Sequence, residues 1–257
     1  MNPATASLPT DMAEPIKIDI WSDIACPWCY IGLTRFERAL ASFEHRDGVE
    51  VTLHSFQLDP SLPDAYDGTE TQYLAQRKGM PEATVRQMFG QVAQAAASEG
   101  LTMDFDSLAV ANSRRAHRLL HAAASVSPAI AWELKRSLFK AHFTDGESIS
   151  DADVLVRLAT GVGLDEEVAR AALEDEALDA EVAGDIDAAR SMGISGVPFF
   201  VLHEKYGISG AQPFEVFTQA IAQVWDEAHP KPAFETLTIP GLKQDATGPA
   251  CGPEGCD

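Results

Sequence analysis

The sequence predicts an α/β fold in which a strand-helix-strand unit and a later strand-strand-helix unit are separated by a long, wholly helical segment. Three observations predict it. Apolar residues alternate with period two before Thr69 and again after Gly193, which is the pattern of half-buried strands. Between those points the apolar spacing is helical and no convincing strand occurs. Finally, Cys26-Pro27-Trp28-Cys29 falls where the first alternating run meets the first helical one.

In chain order, Ile16, Ile18 and Ile20 alternate with Lys17 and Asp19, a strand with one buried face. After the cysteines, Tyr30, Leu33, Phe36, Leu40 and Phe43 repeat at helical spacing and predict one apolar stripe against the sheet. Val49, Val51 and Leu53 give a second strand ending near Phe56, parallel to the first because a helix connects them. Asp59-Pro60 and Leu62-Pro63-Asp64 read as a stop. A helix is predicted over Glu82 to Glu99, ended by Gly100. Asn112 is placed to cap the next, which carries Ala116, Leu119, Leu120 and Ala123. Ser150 and Asp153 resemble a capping box before Val154, Leu155 and Leu158. Leu178, Val182, Ile186, Ala189 and Met192 form the last stripe, ended by Gly193. Pro198 cannot donate to a sheet ladder and so should start the strand Phe199-Phe200-Val201-Leu202. Lys205 to Ile208 return as a hairpin, and Pro213 opens a helix with Phe214, Phe217, Ile221 and Trp225.

Composition narrows the partners. The chain of 257 residues is 46% hydrophobic, enough for a large core, and carries 39 acidic against 19 basic residues for a net charge of -20. That charge repels phosphate backbones and anionic lipid, so nucleic acid and membrane surfaces are excluded as expected partners. No run of eighteen apolar residues occurs. Residues 1–14 have neither a basic flank nor an apolar stretch and read as a disordered leader, which makes the expected location cytoplasmic. In a reducing compartment four cysteines favour catalysis, redox sensing or metal binding over structural staples.

The strand-to-helix position of Cys26 and Cys29 bears on their chemistry. Unpaired amides at a helix N-terminus favour the thiolate at Cys26, which is expected to stand exposed for attack on a disulfide. Cys29 lies on the same side of the first turn and can close the ring, while Pro27 loses no hydrogen bond there. A zinc half-site or two inert core thiols are the competing readings.

The order of these elements resembles the thioredoxin-like fold of the DsbA type, with its inserted all-helical domain. Asp23-Ile24-Ala25-Cys26-Pro27-Trp28-Cys29-Tyr30, Asn112 to Leu119, Gly193 to Phe200 and Tyr206 to Gln212 are similar to the FrnE group of cytoplasmic dithiol-disulfide isomerases. The resemblance implies a discontinuous thioredoxin-like domain over residues 15–63 and 193–236, a helical domain over 64–192, and a tail over 237–257. It implies that Cys26 attacks and Cys29 resolves, and that Val197-Pro198 is a cis-proline loop facing them. The substrate, a protein or peptide bearing a disulfide or dithiol, would lie against Trp28, Val197 and Pro198 as an added strand. No cofactor or metal is implied beyond the cysteine pair, with glutathione or a cellular thiol reductant as co-substrate. One departure stands out. Ile20 occupies the place where thioredoxins keep a buried carboxyl, which leaves Asp23 as a candidate for proton transfer, although an aspartate before a helix is commonly a cap. Trp28 cannot donate to Cys26, which suggests a less oxidising couple than in a periplasmic oxidase.

Cys251-Gly252-Pro253-Glu254-Gly255-Cys256 lies in the tail and is a candidate second redox pair. Idle thiols and a metal site are the alternatives. His117 and His121 have ligand spacing but read more simply as a polar helix face. Arg114, Arg115 and Arg118 read as solvated charge ahead of a site for a substrate anion, and Met80, Met88 and Met103 as core filling ahead of an apolar substrate surface. Two other function classes remain open: a kappa-type glutathione-dependent isomerase or transferase, against which the intact cysteine pair speaks, and a non-enzymatic redox or metal sensor.

Overall fold

The computed structural model describes residues 14–230 together with the backbone of 251–252 and 255–256. The leader residues 1–13 and most of the tail, with the side chains of Cys251 and Cys256, lie outside the described residues.

Four strands, β1 (Ile16–Ser22), β2 (Val49–Ser55), β3 (Phe199–Leu202) and β4 (Tyr206–Ser209), form one mixed sheet in the order β2-β1-β3-β4. β1 and β2 run parallel with Ile18 opposite Val51. The crossover between them is helix α1 (Pro27–Ser42). β3 is antiparallel to both β1 and β4. Seven helices separate β2 from β3: α2 (Glu70–Lys78), α3 (Glu82–Ser98), α4 (Arg114–Val126), α5 (Pro128–Phe143), α6 (Ala152–Gly161), α7 (Glu166–Ala172) and α8 (Glu176–Ser191). α9 (Phe214–Ala228) then packs beside α1. A two-residue antiparallel pair, Cys251–Gly252 with Gly255–Cys256, places Cys251 opposite Cys256 in register.

The alternation of β1 has the expected consequence over its first half, where Ile16, Ile18 and Ile20 are fully buried and Lys17 is exposed. At Trp21 the second face closes as well. Its ring stacks on His54 at 4.3 Å and packs with Ala189 and Ile194, because α8 covers that face. A single apolar core runs from the sheet, α1 and α9 into α3 through α7.

Several local expectations shift. Leu33 and Phe36 are buried, but Tyr30 turns to the helical segment and stacks on Phe139 at 5.0 Å, so the α1 stripe serves two partners. Ser113, not Asn112, is the N-cap of α4; Asn112 still supplies the acceptor, its Oδ1 taking the Arg114 N–H at 2.8 Å. Asp151 rather than Ser150 caps α6, accepting from the amides of Asp153 and Val154. Ser150 instead donates to the Asp64 carbonyl. Met192 is 51% exposed because it follows the last turn of α8, and Met88 is exposed too. The arginines are not solvated charge. Arg114 grips Asp179 of α8 through two bonds of 2.7 Å, Arg118 joins it at 2.8 Å, and Arg115 pairs with Glu174.

Candidate active site

β1 ends at Ser22 and the chain turns through Asp23-Ile24-Ala25 into α1. Cys26 is the N-cap residue, with extended φ and ψ, and Pro27 follows at the first helical position. The Cys29 amide donates to the Cys26 carbonyl at 3.0 Å, which puts both cysteines in one turn. Both are free thiols. Cys29 is fully buried. Cys26 is only 4% exposed, which corrects the expectation of an open nucleophile. The cause is the loop before β3. It folds over the helix end so that the Cys26 thiol donates to the Val197 carbonyl at 3.6 Å. The residues next to this contact in sequence are more open, Trp28 being 41% exposed and Ser195 and Gly196, just before Val197, exposed.

The Val197–Pro198 peptide is cis. Its ring rests on α1 at Gly32, where an added Cβ would come within 2.8 Å of Pro198 Cγ and 3.3 Å of Ala211 Cα. Cys26, Cys29, Trp28, Val197 and Pro198 thus gather around one helix end. A cavity of about 240 Å³ opens beside Pro27, lined mainly by apolar groups such as Leu58, Leu62, Phe105 and Phe143.

Beneath the motif lies a set of buried polar groups. Asp23 accepts from the Leu58 amide at 2.7 Å, the Ala25 amide at 3.3 Å and His117 Nε2 at 3.3 Å. Burial alone would raise its pKa, but the hydrogen bonds from His117 and Leu58 outweigh burial and hold the carboxyl below its ordinary value. His117 is wholly buried, not on a polar face, and burial pulls its pKa down, so the neutral ring donates to the carboxylate. Its Nδ1 has no partner. Burial pushes the Cys29 thiol well above its ordinary value, Cys26 pushes the same way, and the charge of Lys135 opposes them. Lys135 is 1% exposed on α5; burial lowers it to about 8 against the pull of Cys29 and Asp23.

Sequence reasoning passed over Gly32 and Lys135. For Lys135 a signal exists, since Ala131, Lys135, Leu138 and His142 share one buried helical face and a lysine in such a stripe is anomalous. For Gly32 none exists, because its neighbours Pro198 and Ala211 are distant in sequence. Among the described residues no cluster of three or more His, Cys, Asp or Glu could hold a metal ion, and no helix is long and apolar enough to cross a membrane.

Comparison with known proteins agrees with this geometry. A family model described as a DSBA-like thioredoxin domain matches residues 17–222. The structure of a probable DsbA oxidoreductase from Streptomyces coelicolor is similar at 40% identity and a TM-score of 0.77, covering 94% of this chain and 98% of that one. The cytosolic disulfide reductase DsbM from Pseudomonas aeruginosa, in a structure with GSH, shares the fold at 21% identity and a TM-score of 0.57, over 81% of this chain and 99% of its own. An uncharacterised protein of Bacillus subtilis, YwbO, is 27% identical over 212 residues, which is 80% of this chain and 96% of that protein. With its strand order, its cysteine helix and its proline loop all in place, the chain belongs to the DSBA-like thioredoxin domain family, whose chemistry is thiol-disulfide oxidoreduction.

Proposed function

We propose that the protein is a dithiol-disulfide reductase or isomerase of the FrnE-like kind, acting in the cytoplasm on disulfide-bearing proteins or peptides. Cys26 is its nucleophile and Cys29 its resolving thiol. The observation that carries this reading is the 3.6 Å approach of the Cys26 sulfur to the Val197 carbonyl at the start of α1. A helix N-terminus favours negative charge on that sulfur, and an extended segment pairing with the Val197 backbone would bring its own sulfur to the same place.

The steps follow from thiolate exchange. Cys26 attacks a substrate sulfur, the substrate disulfide breaks, and a mixed disulfide forms. Cys29 then attacks Cys26 and releases the reduced substrate. Rearrangement of the substrate before the second attack is isomerisation. Exposed Trp28 and the apolar cavity beside Pro27 offer contact area for the residues flanking the substrate cysteine. A cellular thiol such as glutathione would restore the dithiol. The Cys251/Cys256 pair, in register on its small hairpin, is proposed to exchange with Cys26 and Cys29.

Dithiothreitol-driven reduction of insulin tests the reading. The native chain should accelerate it, and Cys26→Ser should fall to the uncatalysed rate. A native protein that fails to reduce insulin but binds glutathione tightly would favour the kappa-type alternative.

A further inference from the structure

The resolving step needs a proton to leave Cys29, and the place of the usual buried carboxyl is taken by Ile20. Asp23 is poorly suited to receive that proton, since its oxygens already accept from Leu58, Ala25 and His117. The helical segment supplies another group. Lys135 is buried on α5 with its ammonium 5.6 Å from the centre of the Phe139 ring, and the same ring stacks at 5.0 Å on Tyr30, the residue after Cys29. This stack joins α5 to the first turn of α1, and with Cys29 and Lys135 both buried, Cys29 is the group whose charge acts most strongly on the amine, ahead of Asp23, Asp185 and Cys26. A second observation concerns where a proton would go next. A cavity of about 10 Å³, the size of one water, is lined by Lys135, His117, His121, His54 and Ser55. The unpartnered Nδ1 of His117 belongs to that lining residue.

We propose that Lys135 is the base that receives the Cys29 proton during resolution of the mixed disulfide. The inference rests on the roles given above to Cys26 and Cys29. The Cys29 S–H bond breaks and the neutral amine of Lys135 becomes ammonium. The Cys29 thiolate attacks Cys26 Sγ, the Cys26–Cys29 bond forms, and the bond from Cys26 to the substrate breaks with its electron pair leaving on the substrate sulfur. That sulfur is reduced and takes a proton from water; the two cysteines are oxidised. Lys135 returns its proton to solvent through the small polar cavity.

Electrostatics fit the assignment. Burial brings Lys135 to about 8, so the neutral amine is accessible near neutral pH, as a base for this task requires. The charges that act on it are those of Cys29 in α1, Asp23 from the loop after β1, Asp185 from α8 and Cys26 at the N-cap of α1, while His117 and His121 from α4 and His54 from β2 line the same small cavity.

The test is the two-step reaction of the reduced full chain, with Cys251→Ser and Cys256→Ser made in the parent and in every variant so that only Cys26 and Cys29 can react, with an aromatic disulfide that releases a coloured thiol once at Cys26 attack and once at resolution. In the native protein the second rate should rise with pH and level near 8. Lys135→Met should leave the first release within about twofold and slow the second by about tenfold or more, with no levelling as pH rises. Lys135→Arg keeps the charge but cannot take a proton, and should be slowed likewise. An unchanged second release in either folded variant, or levelling near 8 that survives in Lys135→Met, would overturn the proposal. If Lys135→Met does not fold, Lys135→Arg and the native profile decide, and a flat native profile overturns it. A Cys26→Ser protein that still gives the first release at the native rate would instead refute the cysteine roles and leave Lys135 without a step to serve.

Discussion

At Gly32 a hydrogen atom is all that fits between α1 and the loop that carries Pro198. A methyl group there would meet the proline ring at 2.8 Å and the Ala211 backbone at 3.3 Å, and neither is the free end of a flexible chain. Gly32→Ala is therefore expected to cost about 1–3 kcal/mol and to lower disulfide reductase turnover, because the loop moves off Cys26. Gly90 is the control. It is exposed within α3 with nothing near its Cβ position, so Gly90→Ala should stabilise by about 0.5–1 kcal/mol and leave turnover alone. Urea melts and insulin assays on the two variants check both, and equal behaviour would refute the packing argument. At this scale the position of the cysteine motif was legible and its support was not. Cys26 and Cys29 stand out by spacing and context, whereas Val197-Pro198 by its place alone reads as a strand start, and its cis loop facing the cysteines follows only from the companion motif and the family resemblance. The burial of Cys26 beneath Val197, the need for glycine at 32 and the placement of Lys135 depend on contacts between segments far apart in sequence, which no local pattern encodes.

At the scale of elements, Asp185 fastens α8 to the sheet and to α4. Its carboxylate meets His54 Nδ1 at 2.8 Å, the Ser55 amide at 2.7 Å and His121 Nε2 at 3.1 Å, while the other nitrogen of His54 meets Asp19 at 2.9 Å. Burial alone would lower His54, but the hydrogen bonds to Asp185 and Asp19 raise it to about 9. A folded value above the ordinary 6.5 means the clamp contributes fully below pH 6.5 and is lost as pH rises through about 9. Burial alone would raise Asp185, but its hydrogen bonds with His121, His54 and the Ser55 amide hold it below the ordinary 3.8, so its contribution is present above that value and fades in acid. The contribution of His54 should therefore fall by about 1–3 kcal/mol from pH 6.5 to 9, after discounting for the part of the ring that solvent reaches. His54→Gln should flatten that slope in urea titrations, and an unchanged slope would contradict the clamp. The strands and helices were legible from period alone. Asp19 was legible only as the outer face of a strand, since nothing local announces that α8 returns to cover it. The helix caps moved by one residue at Asn112 and Ser150 for a similar reason, as tertiary partners at Pro60, Leu62 and Asp64 engage those side chains.

Across the whole molecule, the helical segment does more than sit beside the sheet. It shares one core with it and lends buried groups to the cysteine motif. The general architecture was legible because several motifs occur in the right order; the depth of this sharing was not, because a linear reading divides the chain where its patterns change. The tail is tested at this scale. If Cys251 and Cys256 exchange with the motif, a chain ending at residue 236 should reduce insulin more slowly while its Cys26 reacts with a small disulfide at the native rate. Equal insulin turnover would end the exchange proposal. The central claim is that a substrate is held as a mixed disulfide on Cys26 until Cys29 releases it. Intact-mass measurement of the Cys29→Ser protein, with Cys251→Ser and Cys256→Ser also made so that no tail thiol can hold or release the peptide, after mixing with a disulfide-bonded peptide tests this most directly. The expected result is one peptide attached, mapped to Cys26, with no adduct when Cys26 is also replaced by serine; a free Cys26, or an adduct that persists without it, would contradict the account.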